Sequence, residues 1–166
     1  MNKLDSVIIK HPSNALSLLG KWMKRKEENF LTITLDGNHS IIKVHHITKG
    51  LMNKTVAHPR ECFYPAIKDY ASSVVFVHNH PSGQLKASPE DNELTDRLCK
   101  AGYILGIYVL DHLIIIPNGD YYSFRQNDKM QDSYCSYELD DFTKTLNEEE
   151  GIILRTVNKK TIKAYS

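Results

Sequence analysis

The sequence contains no apolar run of membrane-spanning length, and its N-terminus lacks the charged-then-apolar pattern of a signal peptide. A cytosolic address and no membrane partner are the resulting expectations. An excess of either charge is also missing. Twenty-one Lys and Arg stand against twenty Asp and Glu, for a formal net charge of +1. The whole molecule therefore carries no field that would by itself attract nucleic acid. Cysteine is scarce: Cys62, Cys99 and Cys135 are odd in number, far apart and free of any CxxC pair. Neither a disulfide framework nor a thiolate zinc site is supported, and small semi-buried side chains in a reducing compartment are expected instead.

What remains is an ordinary globular composition, 41% hydrophobic and 25% charged over 166 residues, enough for one domain with a real core. Ser13 to Lys26 is expected to form an amphipathic helix. Ser13 can cap its start, and Ala15, Leu18, Leu19 and Trp22 recur at helical spacing. Phe30–Leu35 and Ile41–Ile47 are runs of strand formers around the turn residues Asp36-Gly37-Asn38, which predicts a hairpin with Glu28 at its entrance. A second helix is expected from His58-Pro59-Arg60-Glu61, with Pro65 placed to kink it. Val74–Val77 is continuously apolar, as in a strand covered on both faces.

Ser88-Pro89-Glu90-Asp91 opens a third helix in the order cap, first-turn proline, acids, and Gly102 is expected to end it. The apolar run Ile104–Ile116 is interrupted by Gly106, Tyr108 and Asp111-His112. Pro117–Asp120 then turns the chain into a last core strand, Tyr121–Phe124. Alternating strands and helices predict an α/β fold around one sheet. Past Arg125 the texture changes: residues 126–150 hold eight acids against two lysines, and residues 151–166 hold four basic groups and no acid. Residues 1–126 are therefore read as the domain and 127–166 as an extension of unknown role.

The chemistry is concentrated between His78 and Asp91. His78 and His80 stand two apart at a strand end, so their side chains can project to one side. Asp91, in the first turn of the next helix, can return to them. Two imidazoles and a carboxylate are a common first shell for one catalytic zinc ion, with the fourth position left to water. Each piece alone has a simpler reading: histidines at a strand end are often turn residues, and Ser88 with Asp91 is complete as a capping box. The combination, His-x-His-Pro, six residues, then Ser-x-x-Asp, is far more specific and favours the metal.

His78-Asn79-His80-Pro81 followed by Ser88-Pro89-Glu90-Asp91 resembles the JAMM signature of JAB/MPN metalloproteases. Glu28-Asn29-Phe30, Val56–Phe63, His78–Gly83, Glu93-Leu94-Thr95, Leu110-Asp111-His112 and Ser123-Phe124 resemble the RadC branch in particular, over about residues 14 to 126. The resemblance implies a mixed sheet flanked by helices in three layers, of the cytidine-deaminase-like kind. It implies that His78, His80 and Asp91 bind zinc, that Glu28 orients and deprotonates water, and that Ser88 helps hold the developing oxyanion. Glu27 competes with Glu28 on position, and Phe30 sets the register in favour of Glu28. Full-length RadC proteins usually carry an N-terminal helix-hairpin-helix region, for which this chain has no room.

Asp111 and His112 either support the site or form a paired structural couple, because neither should be buried without partners. His45 and His46 are expected on the solvent side of a strand. The leading expectation is a zinc-dependent hydrolase of a peptide, isopeptide or related amide bond, with an unidentified protein or peptide as substrate. The alternative is a DNA-repair-associated accessory domain whose zinc is structural or vestigial. That would need a basic face, and only Lys21–Lys26 and the last sixteen residues are locally basic. Nucleic-acid binding is expected to be at most weak and non-specific. A nucleobase deaminase is disfavoured, since His-x-Glu and Pro-Cys-x-x-Cys are both missing.

Overall fold

The computed structural model describes residues 7–49 and 57–130. Among the described residues three helices and five strands follow one another as α1 (Pro12–Met23), β1 (Asn29–Leu35), β2 (Ile41–Lys49), α2 (Pro59–Lys68), β3 (Ser73–Asn79), α3 (Pro89–Leu105), β4 (Tyr108–Ile115) and β5 (Tyr121–Ser123). The strands make one sheet in the order β2-β1-β3-β4-β5. Only the β3–β4 pair is parallel, joined through α3, and the other three pairs are antiparallel. The sheet is therefore mixed, as expected for this α/β class.

Every residue of β3 is buried, because the strand alternates side chains into two separate cores. Val74 and Phe76 pack with Phe30, Phe63 and Ala66 of α2, and Leu94, Leu98 and Cys99 of α3. Val75 and Val77 pack with Leu31, Ile33, Leu113, and Ala15 and Leu19 of α1. Helices thus cover both faces, giving three layers with β3 in the middle of the sheet. Burying a Leu, Phe or Val side chain contributes roughly 1.5–3 kcal/mol.

Several local expectations shift, each for a visible reason. α1 starts at Pro12, which takes the first helical position, so the cap moves from Ser13 back to His11: its Nδ1 accepts from Ser13 N, and Asn14 Oδ1 accepts from His11 N. That helix ends at Met23 rather than Lys26. Pro65 falls inside α2 without ending it. α3 runs past Gly102 to Leu105 and is capped by Gly106 in the left-handed region, φ 67°. Gly102 serves a different need, since a Cβ there would lie 2.6 Å from the Ile107 carbonyl and 2.8 Å from Val109.

Cys62 and Cys99 are buried in the α2–α3 core and are not joined in a disulfide. Burial, reinforced by Glu61, pushes the Cys62 thiol up to about 12. Cys135, and the extension from residue 131 on, lie outside the described residues. Met130 still belongs to the aromatic core. Among the described residues, no helix is long and apolar enough to cross a membrane.

Candidate metal centre

The site grows out of the C-terminal end of β3. Strand alternation that sends Val74 and Phe76 toward the helices sends His78 the same way, and it is fully buried. His80 lies just past the strand, where its N–H still bonds the Ile115 carbonyl at 2.9 Å. Gly83, with φ 76°, turns the chain back through a 3.1 Å bond from its N–H to His80 O. That turn brings the Gln84 carbonyl within 2.9 Å of His80 Nδ1. A carbonyl can only accept, so Nδ1 carries the proton, and in the neutral ring Nε2 keeps its lone pair.

Asp91 arrives from the first turn of α3. Ser88 caps that helix: its Oγ accepts from Asp91 N at 3.0 Å, and Asp91 Oδ2 accepts from Ser88 N at 2.8 Å and from Ser88 Oγ at 2.6 Å. The capping box and the site share one carboxylate. Asp91 Oδ1 lies 3.2 Å from His78 Nε2, Asp91 Oδ2 lies 3.6 Å from His80 Nε2, and the two Nε2 atoms are 3.0 Å apart.

Charge follows from these contacts. Burial alone would raise the Asp91 carboxyl, but hydrogen bonds from His78 and His80, the charge of His78 and the Ser88 hydroxyl hold it well below the usual carboxylate range. Burial alone would lower His80, yet hydrogen bonds to Asp91 and Gln84 O, and the charges of Asp91 and Glu28, raise it above the ordinary imidazole value.

Glu28 stands half-buried at the entrance to β1, and its charge is felt at His80. The segment that carries it is clamped by Asn79, the residue between the two histidines. Asn79 Oδ1 accepts from Asn29 N at 2.7 Å, and Asn79 Nδ2 donates to Glu27 O at 3.0 Å. Asn29 Nδ2 also donates to Glu27 O, at 2.6 Å. Glu27 thus supplies its carbonyl to the clamp while its side chain is exposed.

The Asp111-His112 pair divides between two tasks. His112 Nε2 lies 2.9 Å from His78 Nδ1, and its Nδ1 lies 2.7 Å from Thr95 Oγ1. Complete burial, and next the neighbouring His78, hold His112 well below the ordinary imidazole value. Asp111 acts on the backbone of its neighbour, its Oδ1 accepting from His112 N at 2.7 Å. It accepts from Ser123 Oγ at 2.5 Å and Arg125 N at 3.1 Å, fixing the turn that stacks Phe124 on His112 at 4.8 Å. Burial raises the Asp111 carboxyl despite those bonds. His45 is half-buried and bonded to Asp69, not on the solvent side; exposed His46 packs on Trp22 at 4.8 Å.

Residues 9–130 match the RadC-like JAB domain family. The chain belongs to that family. Its RadC-like JAB domain is 50% identical over 99 residues to a UPF0758 protein of Trichlorobacter lovleyi, covering 60% of this chain and 43% of the relative. It is 43% identical over 130 residues to a UPF0758 protein of Alkaliphilus metalliredigens, covering 78% and 56%. A UPF0758 protein of Picosynechococcus is 40% identical over 131 residues, covering 78% and 54%. The chain spans about half the length of the curated relatives it matches.

In this RadC-like domain, His78, His80 and Asp91 are a group that could hold a metal ion, with ligand atoms all within 4.8 Å of one another. The spacing fits one ion. Donors bound tetrahedrally at about 2.0–2.1 Å stand about 3.3 Å apart, and the three separations here, 3.0, 3.2 and 3.6 Å, bracket that value. The far nitrogens of both rings are held by other groups, as ligating histidines usually are. Asn79, Gln84 and Thr95 have roles that sequence reasoning missed. An asparagine between two histidines at the end of an apolar strand was the one available signal, since a buried amide needs partners.

Proposed function

We propose that this domain is a zinc-dependent hydrolase that cleaves an amide bond in a peptide or isopeptide linkage. The convergence of two imidazoles and one carboxylate, with the charge of a second carboxylate, Glu28, acting on His80, carries this reading. Two nitrogens and one oxygen are a donor set that suits zinc and leaves a fourth position open. Bound there, zinc would polarise a carbonyl and bring the pKa of water down to about 7.

The chain's own residues account for the rest. Glu28 lies outside the donor set yet close enough for its charge to act on His80, where a general base belongs. It takes a proton from the attacking water and passes it to the departing nitrogen, which cannot leave as an amide anion. The Asn79 clamp fixes the backbone on both sides of Glu28, which limits the positions its carboxylate can take. Ser88 Oγ spends its one proton on Asp91 in the resting site. Rotation about its Cβ–Oγ bond would turn that proton toward the developing oxyanion.

The substrate on this reading is peptide-like, and any nucleic-acid contact is a weak, salt-sensitive one to phosphates. The test is hydrolysis of peptide and isopeptide-linked model substrates by the zinc-loaded full chain, by the chelated chain and by Glu28→Gln. Turnover that survives chelation, or equals that of Glu28→Gln, would remove this mechanism.

A further inference from the structure

His78 differs from His80 in one respect: its remote nitrogen meets another imidazole rather than a carbonyl. At the 2.9 Å contact between His78 Nδ1 and His112 Nε2, either ring could be the donor. The choice is made one residue farther out. Thr95 Oγ1 lies 2.6 Å from the Asp91 carbonyl and 2.7 Å from His112 Nδ1. A hydroxyl has one proton and a carbonyl has none, so Oγ1 donates to Asp91 O. The reverse would leave two oxygens 2.6 Å apart with no hydrogen between them.

Oγ1 must then accept from His112 Nδ1–H. The His112 ring is wholly buried and otherwise faces Phe30, Phe76 and Phe124. No carboxylate bonds either of its nitrogens, and a charged ring without such a partner is costly to bury. With its one proton on Nδ1, His112 offers a lone pair at Nε2. It therefore accepts from His78 Nδ1–H, and His78 Nε2 is left with a lone pair facing His80 and Asp91.

We propose that Thr95 and His112 are positioning residues that fix the tautomer of His78 and so aim its Nε2 lone pair at the metal. The relay rests on reading His78, His80 and Asp91 as ligands, and not on the identity of the substrate. It is also a closed circuit: it starts at the backbone carbonyl of Asp91, passes through Thr95 and His112, and returns through His78 to the Asp91 carboxylate. One hydroxyl on α3 thereby ties β4 and β3 to the helix that carries the third ligand. Losing it would free His112 to place its proton on Nε2, which would drive the His78 proton onto the ligating nitrogen.

The experiment uses the full chain with 15N-labelled histidine, together with zinc affinity measured by competition against a chromophoric chelator. Long-range 15N–1H spectra should show His112 and His78 both protonated at Nδ1. Thr95→Val, which keeps the shape and deletes the hydroxyl, should lose roughly 10–100-fold in zinc affinity. Thr95→Ser should recover the affinity to within a few-fold and restore the wild-type spectrum.

Thr95→Val that melts lower but binds zinc like wild type would reduce Thr95 to a structural role and overturn the proposal. A His112 proton on Nε2 would overturn it as well. If the wild type takes up no zinc, the ligand reading fails and the aiming role falls with it, whatever the His112 tautomer in the metal-free protein. Zinc uptake with the expected tautomers but no hydrolysis of any substrate would leave the relay standing alone.

Discussion

At one end of β1, Thr34 and His45 meet Asp69. Near the other, where Phe30 pairs with His78, His78 and His80 meet Asp91 with Thr95 close by. Both clusters contain histidine, aspartate and threonine, yet their proton counts differ. In the first, one ring nitrogen lies 2.5 Å from Asp69 Oδ2, and Thr34 Oγ1 lies 2.7 Å from the same oxygen. Both donors meet that one carboxylate oxygen, and the histidine and aspartate side chains remain 18% and 15% exposed. In the second, two ring nitrogens converge on one carboxylate, at 0%, 13% and 4% exposure. On the proposed tautomers the far nitrogens both donate, lone pairs outnumber protons, and a cation would complete the set. Residue type does not distinguish a structural pair from a metal site; the direction of the remaining lone pairs does.

The sharpest test is metal content. His78→Ala with His80→Ala should reduce zinc from about one ion per chain to none, whereas His45→Ala should leave it unchanged. Elemental analysis of the three purified proteins decides this, and equal loss in His45→Ala would erase the contrast.

Next comes turnover. Glu28→Gln should keep its zinc and lose about 10²–10⁴-fold in hydrolysis, while Asp69→Asn hydrolyses at the wild-type rate. A Glu28→Gln variant with full activity would remove Glu28 as the base and, with it, the proposed mechanism.

The two clusters should also respond oppositely to pH. In the metal-free protein the His80 value is raised in the folded state. Its stabilisation is therefore complete below the unfolded value of about 6.5 and is lost as pH rises through the folded value. Melting temperature should fall across that window without zinc and should not fall with it. Asp69 behaves in reverse. Burial would raise it, but hydrogen bonds from Thr34 and His45, with the charges of His45 and Lys43, lower it. Its contribution is present above about 3.9 and is lost as pH falls through the folded value. Asp91 adds to that acid limb, so comparing Asp69→Asn with wild type isolates the Asp69 share.

The smallest effects are structural. Ser88→Ala should cost about 1 kcal/mol through loss of the cap, and Asp69→Asn about 1 kcal/mol through weakened hydrogen bonds. Denaturant midpoints measure both, and only Ser88→Ala should also alter the metal site.

What was legible in the sequence is what is local. His78, His80, Ser88 and Asp91 lie on one strand–turn–helix stretch, so spacing alone brings them together. The two-sided burial of Val74–Val77 was equally readable from its unbroken apolar character. Two of the partners that hold the site, His112 and Asn29, are not local. His112 reaches His78 only because β3 and β4 pair in parallel, with a register shift between Val74 and Val75. Asn79 reaches Asn29 across 50 residues. Gly102 misled for a related reason: its small size serves a close approach by the strand that follows the helix, which composition does not reveal. His45 looked solvent-facing because nothing in the hairpin announces that the end of α2 will bring Asp69 beside it.

The short stretch that holds the three candidate ligands also predicts an order of events. Residues 78–91 close on themselves through a brief loop, a small entropic penalty that can be met early in folding. Glu28 comes from the preceding hairpin and reaches them only when β1 docks on β3. A chain that has folded only as far as β3, α3 and β4 thus has the chelating groups and lacks the base. On the proposed reading, ion capture would come first and hydrolytic competence second, so an immature molecule could hold a metal before it could hydrolyse an amide bond.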